Sequence, residues 1–356
     1  MSRYAVPTIR RDVAWQSRSV RALPLLALLM LSCARAEPRA GIDHDKFMGT
    51  WQIMTVKNLK TGEVDSIFKR RLLWTQYTRS NWTYVYMDSG RSGPTRAEFG
   101  KLPLEARRKA NYAKMWNQAG QPGAPTAGWR FWGSGGTYWL DGDTFYYTNL
   151  ISIEPSQVQL GGVEHVIYVN DTAYAYHSLP DKDGVVREYT HRRLDHGAPL
   201  AGNGADTTAA SLIIGNWQAM SQRNPKTGEV ENIAIRRANW FHITQNHWTY
   251  LWMTKDRKNV IPDDLAKLPA AEQSKERYAK VWDDQDRPVF WASAGTYRIE
   301  NQEFIVEPRV MSIDPSMIGM GGVEPIVTLD RHTYVYRSTP DSTGAVTETT
   351  HRRIDW

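Results

Sequence analysis

The chain has 356 residues, 41% of them hydrophobic and 23% charged, a length that predicts two domains, each large enough for its own core. Nearly all of the formal net charge of +6 sits in the first 36 residues, which hold six arginines against one aspartate; the near-neutral remainder excludes nucleic acid as a partner. The single cysteine, Cys33, leaves the rest of the chain without disulfides or thiolate metal sites, and no apolar run reaches the ~20 residues of a membrane-spanning helix.

Residues 1–36 read as a signal peptide, with Arg3, Arg10, Arg11, Arg18 and Arg21 ahead of the apolar stretch Ala22 to Leu31. Two exits follow it. Ala34-Arg35-Ala36 offers small residues for cleavage, and Met30-Leu31-Ser32-Cys33 offers Cys33 as a lipidation candidate. The expected location is therefore periplasmic or secreted, with contact to a membrane only through a lipid on Cys33.

From residue 37 to 196 the dominant signal is short strands. Trp82 to Met87, Thr144 to Tyr147 and Ala173 to Tyr176 are β-branched or aromatic runs. Lys60-Thr61-Gly62, Asp141-Gly142 and Asp183-Gly184 supply hairpin turns between strands. One helix interrupts the strands, from near Pro103 through Trp116. Residues 197–209, rich in Gly, Ala and Asn, read as a flexible linker, and residues 210–356 then repeat the first pattern. Gly49-Thr50-Trp51 returns as Gly215-Asn216-Trp217, Trp82-Thr83-Tyr84 as Trp248-Thr249-Tyr250, and Gly161-Gly162-Val163-Glu164 as Gly321-Gly322-Val323-Glu324. The closing Thr190-His191-Arg192-Arg193-Leu194-Asp195 returns as Thr350-His351-Arg352-Arg353-Ile354-Asp355. The fold class is thus all-β with one helix per repeat: two antiparallel barrels in series, like two beads on a short string.

A Gly-x-Trp on the first strand and an arginine on the last resemble the lipocalins. Each repeat also resembles bacterial lipocalin-like domains in its order of Gly-Thr-Tyr, a tight hairpin, Ser-Ile-acid-Pro-Ser and Gly-Gly-Val-Glu. The resemblance implies that Trp51 and Trp217 are structural, lying at the closed end of each barrel under an arginine. Strand parity, taken from apolar Leu194 and Ile354, assigns that place to Arg192 and Arg352.

Fifteen tryptophans, ten of them in five equivalent pairs, suggest aromatic interiors. The ligand-binding set expected from this is Trp74, Trp132 and Tyr138 with their counterparts Trp240, Trp291 and Tyr297, joined by Arg192 and Arg352. The leading functional reading is an exported protein binding a small apolar or aromatic molecule in each barrel. The alternative is a cyclase, isomerase or hydratase using Glu154, Glu164, Asp314 and Glu324 as acid/base groups. No metal, phosphate-loop or nucleophile-elbow motif is present, so neither metal nor cofactor is expected. Trp129 and the Gly120-Gln121-Pro122-Gly123 insertion occur in the first repeat alone, so the two interiors are expected to have diverged.

Overall fold

In the computed structural model, the described residues are 42–356 apart from 90, 92–97, 99–100, 104, 108–115, 118–127, 182, 196–206, 258–266, 270–271, 273–280, 284–286, 341–342 and 356. The expected signal peptide, Cys33 and most of the expected helices after Pro103 and Pro269 lie outside that set; of the first helix, 105–107 are helical.

Strands of the first repeat run in chain order β1 (Gly49–Asn58), β2 (Val64–Asp65), β3 (Arg71–Tyr77), β4 (Asn81–Asp88), β5 (Trp116–Asn117), β6 (Gly128–Trp129), β7 (Phe131–Asp141), β8 (Thr144–Ser152), β9 (Gly161–Val169), β10 (Ala173–His177) and β11 (Arg187–Arg193). β5 and β6 pair with each other, and β2 extends along β1. The other eight pair antiparallel with their neighbours, and β11 returns to β1 with Trp51 opposite Arg193, which closes the sheet. Closure leaves no edge for a further strand to join.

The second repeat follows the same path through β12 (Gly215–Arg223), β13 (Val230–Asn232), β14 (Arg237–Ile243), β15 (His247–Thr254), β16 (Phe290–Glu300), β17 (Glu303–Val306), β18 (Met311–Ser312), β19 (Gly322–Leu329), β20 (Thr333–Arg337) and β21 (Glu348–Arg353). It closes by β12 against β21, with Trp217 opposite Arg353. Both barrels are therefore eight-stranded, closed and antiparallel, the lipocalin-like architecture expected from the repeats. The β7–β8 turn uses Gly142 at φ +61°, whereas β16–β17 turns through Asn301 and Gln302, both at positive φ as a two-residue hairpin of this hand requires.

The closed ends explain the Gly-x-Trp motif. Helix His44–Phe47 caps barrel one, and the Trp51 Nε1 donates to the Phe47 carbonyl at 2.8 Å. Over the Trp51 ring, 4.1 Å from its centre, lies the guanidinium of Arg193, which also donates to the Met48 carbonyl. Barrel two repeats this with helix Thr207–Ile213, Trp217 and Arg353 at 4.2 Å. A side chain on Gly49 or Gly215 would collide with that guanidinium, and both glycines have positive φ, so only glycine fits.

The stacking residues are thus Arg193 and Arg353, one position beyond Arg192 and Arg352. The parity inference failed because Leu194 and Ile354 face the other barrel rather than their own interior. Arg192 and Arg352 are exposed on the outer surface, where Arg192 donates to Gln52.

Nor are the barrels separate beads. Residues 40–356 form one compact unit, and one core joins the outer faces of both barrels. Trp74, Val85, Phe131 and Ile153 pack there against Trp240, Leu251, Phe290 and Ile313. The backbones come so close that a methyl on Gly133 would lie 2.7 Å from the Ala292 side chain. Two reciprocal clamps lock this seam. Arg91 donates to the Ser312 and Ile313 carbonyls, and Arg257 donates to those of Ser152 and Ile153. Each guanidinium also stacks on a seam phenylalanine, Phe131 or Phe290 of its own barrel. At the rim, Asp195 Oδ1 lies 2.6 Å from His247 Nδ1, and the Thr50 and Thr244 hydroxyls are 2.6 Å apart.

Candidate functional site

Strand alternation sends every second side chain inward, and above the closed end these side chains leave a space unfilled. In barrel one the space is a cavity of about 300 Å³. Its walls are Trp82 and Tyr84 from β4, Trp132 and Ser134 from β7, Tyr147 and Asn149 from β8, Glu164 from β9, Tyr174 and Tyr176 from β10, and Tyr189 and His191 from β11. The volume lies at the lower end for small-molecule sites, and the mostly aromatic lining with a few polar groups is of the usual kind.

Among the described residues Glu164 is the one acid on this wall, and neither lysine nor arginine lines the cavity. The glutamate is half-buried, and it lines the cavity. Burial pushes its pKa up to about 8, so at neutral pH the group is mostly a neutral acid. The phenols of Tyr84, Tyr174 and Tyr176 are raised far above their ordinary range, again by burial, and stay protonated. Burial pulls His191 down to about 3; the neutral ring stacks on Tyr174 with centres 4.1 Å apart.

Barrel two has a smaller cavity of about 200 Å³, lined by Phe241, Trp248, Tyr250, Trp291, Ser293, Val306, Tyr336 and His351, with Glu324 and Arg309. Asn149 and Arg309 occupy equivalent places: each accepts from the loop after its 3-10 turn, Asn149 from Gln159 and Arg309 from Gly319. The nearby guanidinium of Arg309 partly offsets the burial of Glu324, whose pKa is raised to about 7. Phe241 stands where barrel one has Thr75, and Val306 where it has Tyr147.

The residues expected to bind ligand divide three ways. Trp132 and Trp291 line the cavities. Trp74 and Trp240 point outward into the shared seam, where Trp74 packs edge-on against His247. Tyr138 and Tyr297 lie below the cavities, donating to the Thr78 and Thr244 carbonyls at 2.6 and 2.7 Å. Arg192 and Arg352 lie outside, and Trp51 and Trp217 occupy the closed ends.

The four acids divide as well. Glu164 and Glu324 face the cavities, whereas Glu154 and Asp314 begin the 3-10 turns Pro155–Gln157 and Pro315–Met317. There Glu154 accepts from the Ser156 hydroxyl and Asp314 from the Ser316 amide, and each lies in the field of the opposite barrel's clamp, Arg257 or Arg91. These two acids are seam and turn residues. The sequence reading missed Tyr176, Tyr189, Asn149 and Arg309; the alternation Tyr174-x-Tyr176 carried a signal for the first of them.

A third cleft, of about 450 Å³, lies between the closed ends and is edged by Arg193, Asp195, Arg353 and Asp355. These four charged groups are already engaged in the two base closures and the seam, and the exposed Arg79 also edges the cleft.

No family model matches the chain, and no curated protein does. Among solved structures, one match is a lipocalin-like protein from Bacteroides uniformis, 10% identical, with the alignment covering 40% of this chain and 99% of that chain at a TM-score of 0.24.

Proposed function

We propose that the protein binds small aromatic or apolar molecules, one in each barrel, and that it works as an exported or lipid-anchored binding protein. The observation that carries the binding reading is the aromatic cavity above the Trp51 closed end, enclosed by eight strands yet left unfilled. The N-terminal arginines and the apolar stretch before Cys33 support export.

Native mass spectrometry of the protein purified from its own host tests this, together with calorimetric titration of 2-phenylethanol as a neutral aromatic probe. The expected result is saturable uptake of the probe, of which Ser134→Phe, filling the cavity of barrel one from β7, removes the barrel-one site and leaves that of barrel two. A parent protein with neither a copurifying molecule nor saturable uptake would remove the binding reading.

One observation favours a second reading, acid/base catalysis. A carboxyl with its pKa raised to about 8 holds a proton at neutral pH and suits a general acid. Under that reading Glu164→Gln keeps binding and removes turnover, while Glu154→Gln and Asp314→Asn leave turnover unchanged.

A further inference from the structure

Among the described residues, the cavity of barrel one places a single acid within a ring of aromatic faces and supplies no cation to answer it. Tyr84, Tyr147, Tyr176 and Tyr189 join Trp82 and Trp132 on the wall with Glu164. Tyr176 and Tyr189 lie face to face, with ring centres 4.8 Å apart and planes 9° from parallel. Aromatic faces carry negative quadrupole potential and attract cations, the more so where water is excluded. Glu164 adds a formal negative charge once ionised, and among the described residues its carboxylate has no hydrogen-bond or ion-pair partner.

In barrel two the same acid, Glu324, shares its wall with Arg309, whose guanidinium lies 5.9 Å from the centre of the Trp248 ring. A cation from the chain itself already stands where a ligand cation would find aromatic faces and a carboxylate. The corresponding residue in barrel one is Asn149, which is neutral and donates to the Leu160 carbonyl.

We propose that the cavity of barrel one is a site for a small aromatic ammonium ion with Glu164 as its counter-ion, and that Arg309 excludes such ions from the cavity of barrel two. This rests on the binding reading above and names its ligand class. Entry of the ammonium ion ionises Glu164: the carboxyl O–H breaks, its proton leaves to solvent, and the carboxylate pairs with the ligand N–H groups. The other titratable groups facing Glu164 are Tyr77 from β3, Tyr84 from β4, Tyr147 from β8, Tyr174 and Tyr176 from β10, and Tyr189 and His191 from β11. All are neutral at pH 7, so the released proton comes from Glu164.

The test is isothermal titration of the full chain with phenethylamine, 2-phenylethanol and phenylacetate, in buffers of different ionisation enthalpy. Phenethylamine is expected to bind one site at least about tenfold more tightly than 2-phenylethanol, to release close to one proton at pH 7, and to tighten between pH 6 and 8. Phenylacetate is expected to bind more weakly than the alcohol. Glu164→Gln and Asn149→Arg should each remove the preference for the amine while 2-phenylethanol still binds, and Arg309→Asn should create a second amine site. Equal affinity for amine and alcohol, or a preference that survives Glu164→Gln, would overturn the proposal and leave the binding reading standing. If none of the three probes binds, the binding reading falls with it.

Discussion

The two cavities share an ancestor design and differ at a few wall positions. Both stand above the same tryptophan–arginine closure, and both place one glutamate directly after Gly-Gly-Val, on β9 or β19. Around Glu164 the wall is rich in phenols and, among the described residues, free of cations, and Trp129 packs edge-on against Trp132. Around Glu324 the wall is narrower, with Phe241, Val306 and Arg309 at the changed positions. The comparison teaches that the duplicated scaffold is held constant by its base and its seam, while the chemistry of each interior is free to drift. One substitution at the Asn149/Arg309 position changes the electrostatic character of a whole cavity.

The constant part carries the largest expected effects. Trp51→Ala and Trp217→Ala each remove a fully buried indole and its hydrogen bond to the capping helix. Each is expected to cost about 3–5 kcal/mol in denaturant unfolding, with little difference between the barrels. A loss in one barrel alone would show that the two bases are not equivalent.

Next come the seam clamps. Arg91→Ala leaves the Ser312 and Ile313 carbonyls without their donor, and Arg257→Ala does the same to Ser152 and Ile153. Each is expected to cost about 2–4 kcal/mol. Because the core is shared, the parent chain should unfold in one transition in calorimetry. Two well-separated transitions in the parent would restore the picture of independent barrels.

The glutamates give a smaller effect with a sign set by pH. Glu164 keeps its proton in the folded protein up to about pH 8 but loses it near 4.5 when unfolded, so the folded state is penalised increasingly as pH rises from 4.5 to 8. Glu164→Gln removes that penalty. Allowing for screening by water within the cavity, it should stabilise by roughly 2 kcal/mol at pH 8.5 and by nothing measurable at pH 4.5, read as a shift in melting temperature. Glu324→Gln should gain less, since its window closes near pH 7. The buried neutral histidines His191 and His351 act in the opposite sense: their contribution is complete above about pH 6.5 and is lost as pH falls toward 3. At pH 8.5 they do not obscure the glutamate effect. An equal gain for both glutamates would deny Arg309 its role.

The smallest effect tests the strand parity. Arg192→Ala and Arg352→Ala change exposed side chains and should alter stability by less than about 0.5 kcal/mol, whereas Arg193→Ala uncovers Trp51.

The sequence alone determined the duplication, the all-β class and the hairpin turns, because these follow from local periodicity and turn chemistry, while the closed-end place of Trp51 and Trp217 came from the lipocalin resemblance of Gly-x-Trp. It also carried a sign of the seam: Trp82-Thr83-Tyr84-Val85-Tyr86-Met87 has no charged residue and only Thr83 as a small polar one, unlike a strand with one wet face, and Val85 and Met87 are buried against the other barrel while Tyr84 lines the cavity. Only the tertiary structure decided which residues meet. Leu194 marks the face of its strand turned toward the partner barrel, so an apolar residue pointed to the wrong interior; Trp74 and Tyr138 are as aromatic as Trp132 but lie in the seam and the base. Of four similar acids, Glu154 and Asp314 were drawn into turns beside the clamping arginines, and Glu164 and Glu324 were left facing a cavity. A carboxyl's pKa and its use depend on solvent and charge within a few ångströms, and those neighbours come from strands distant in the chain.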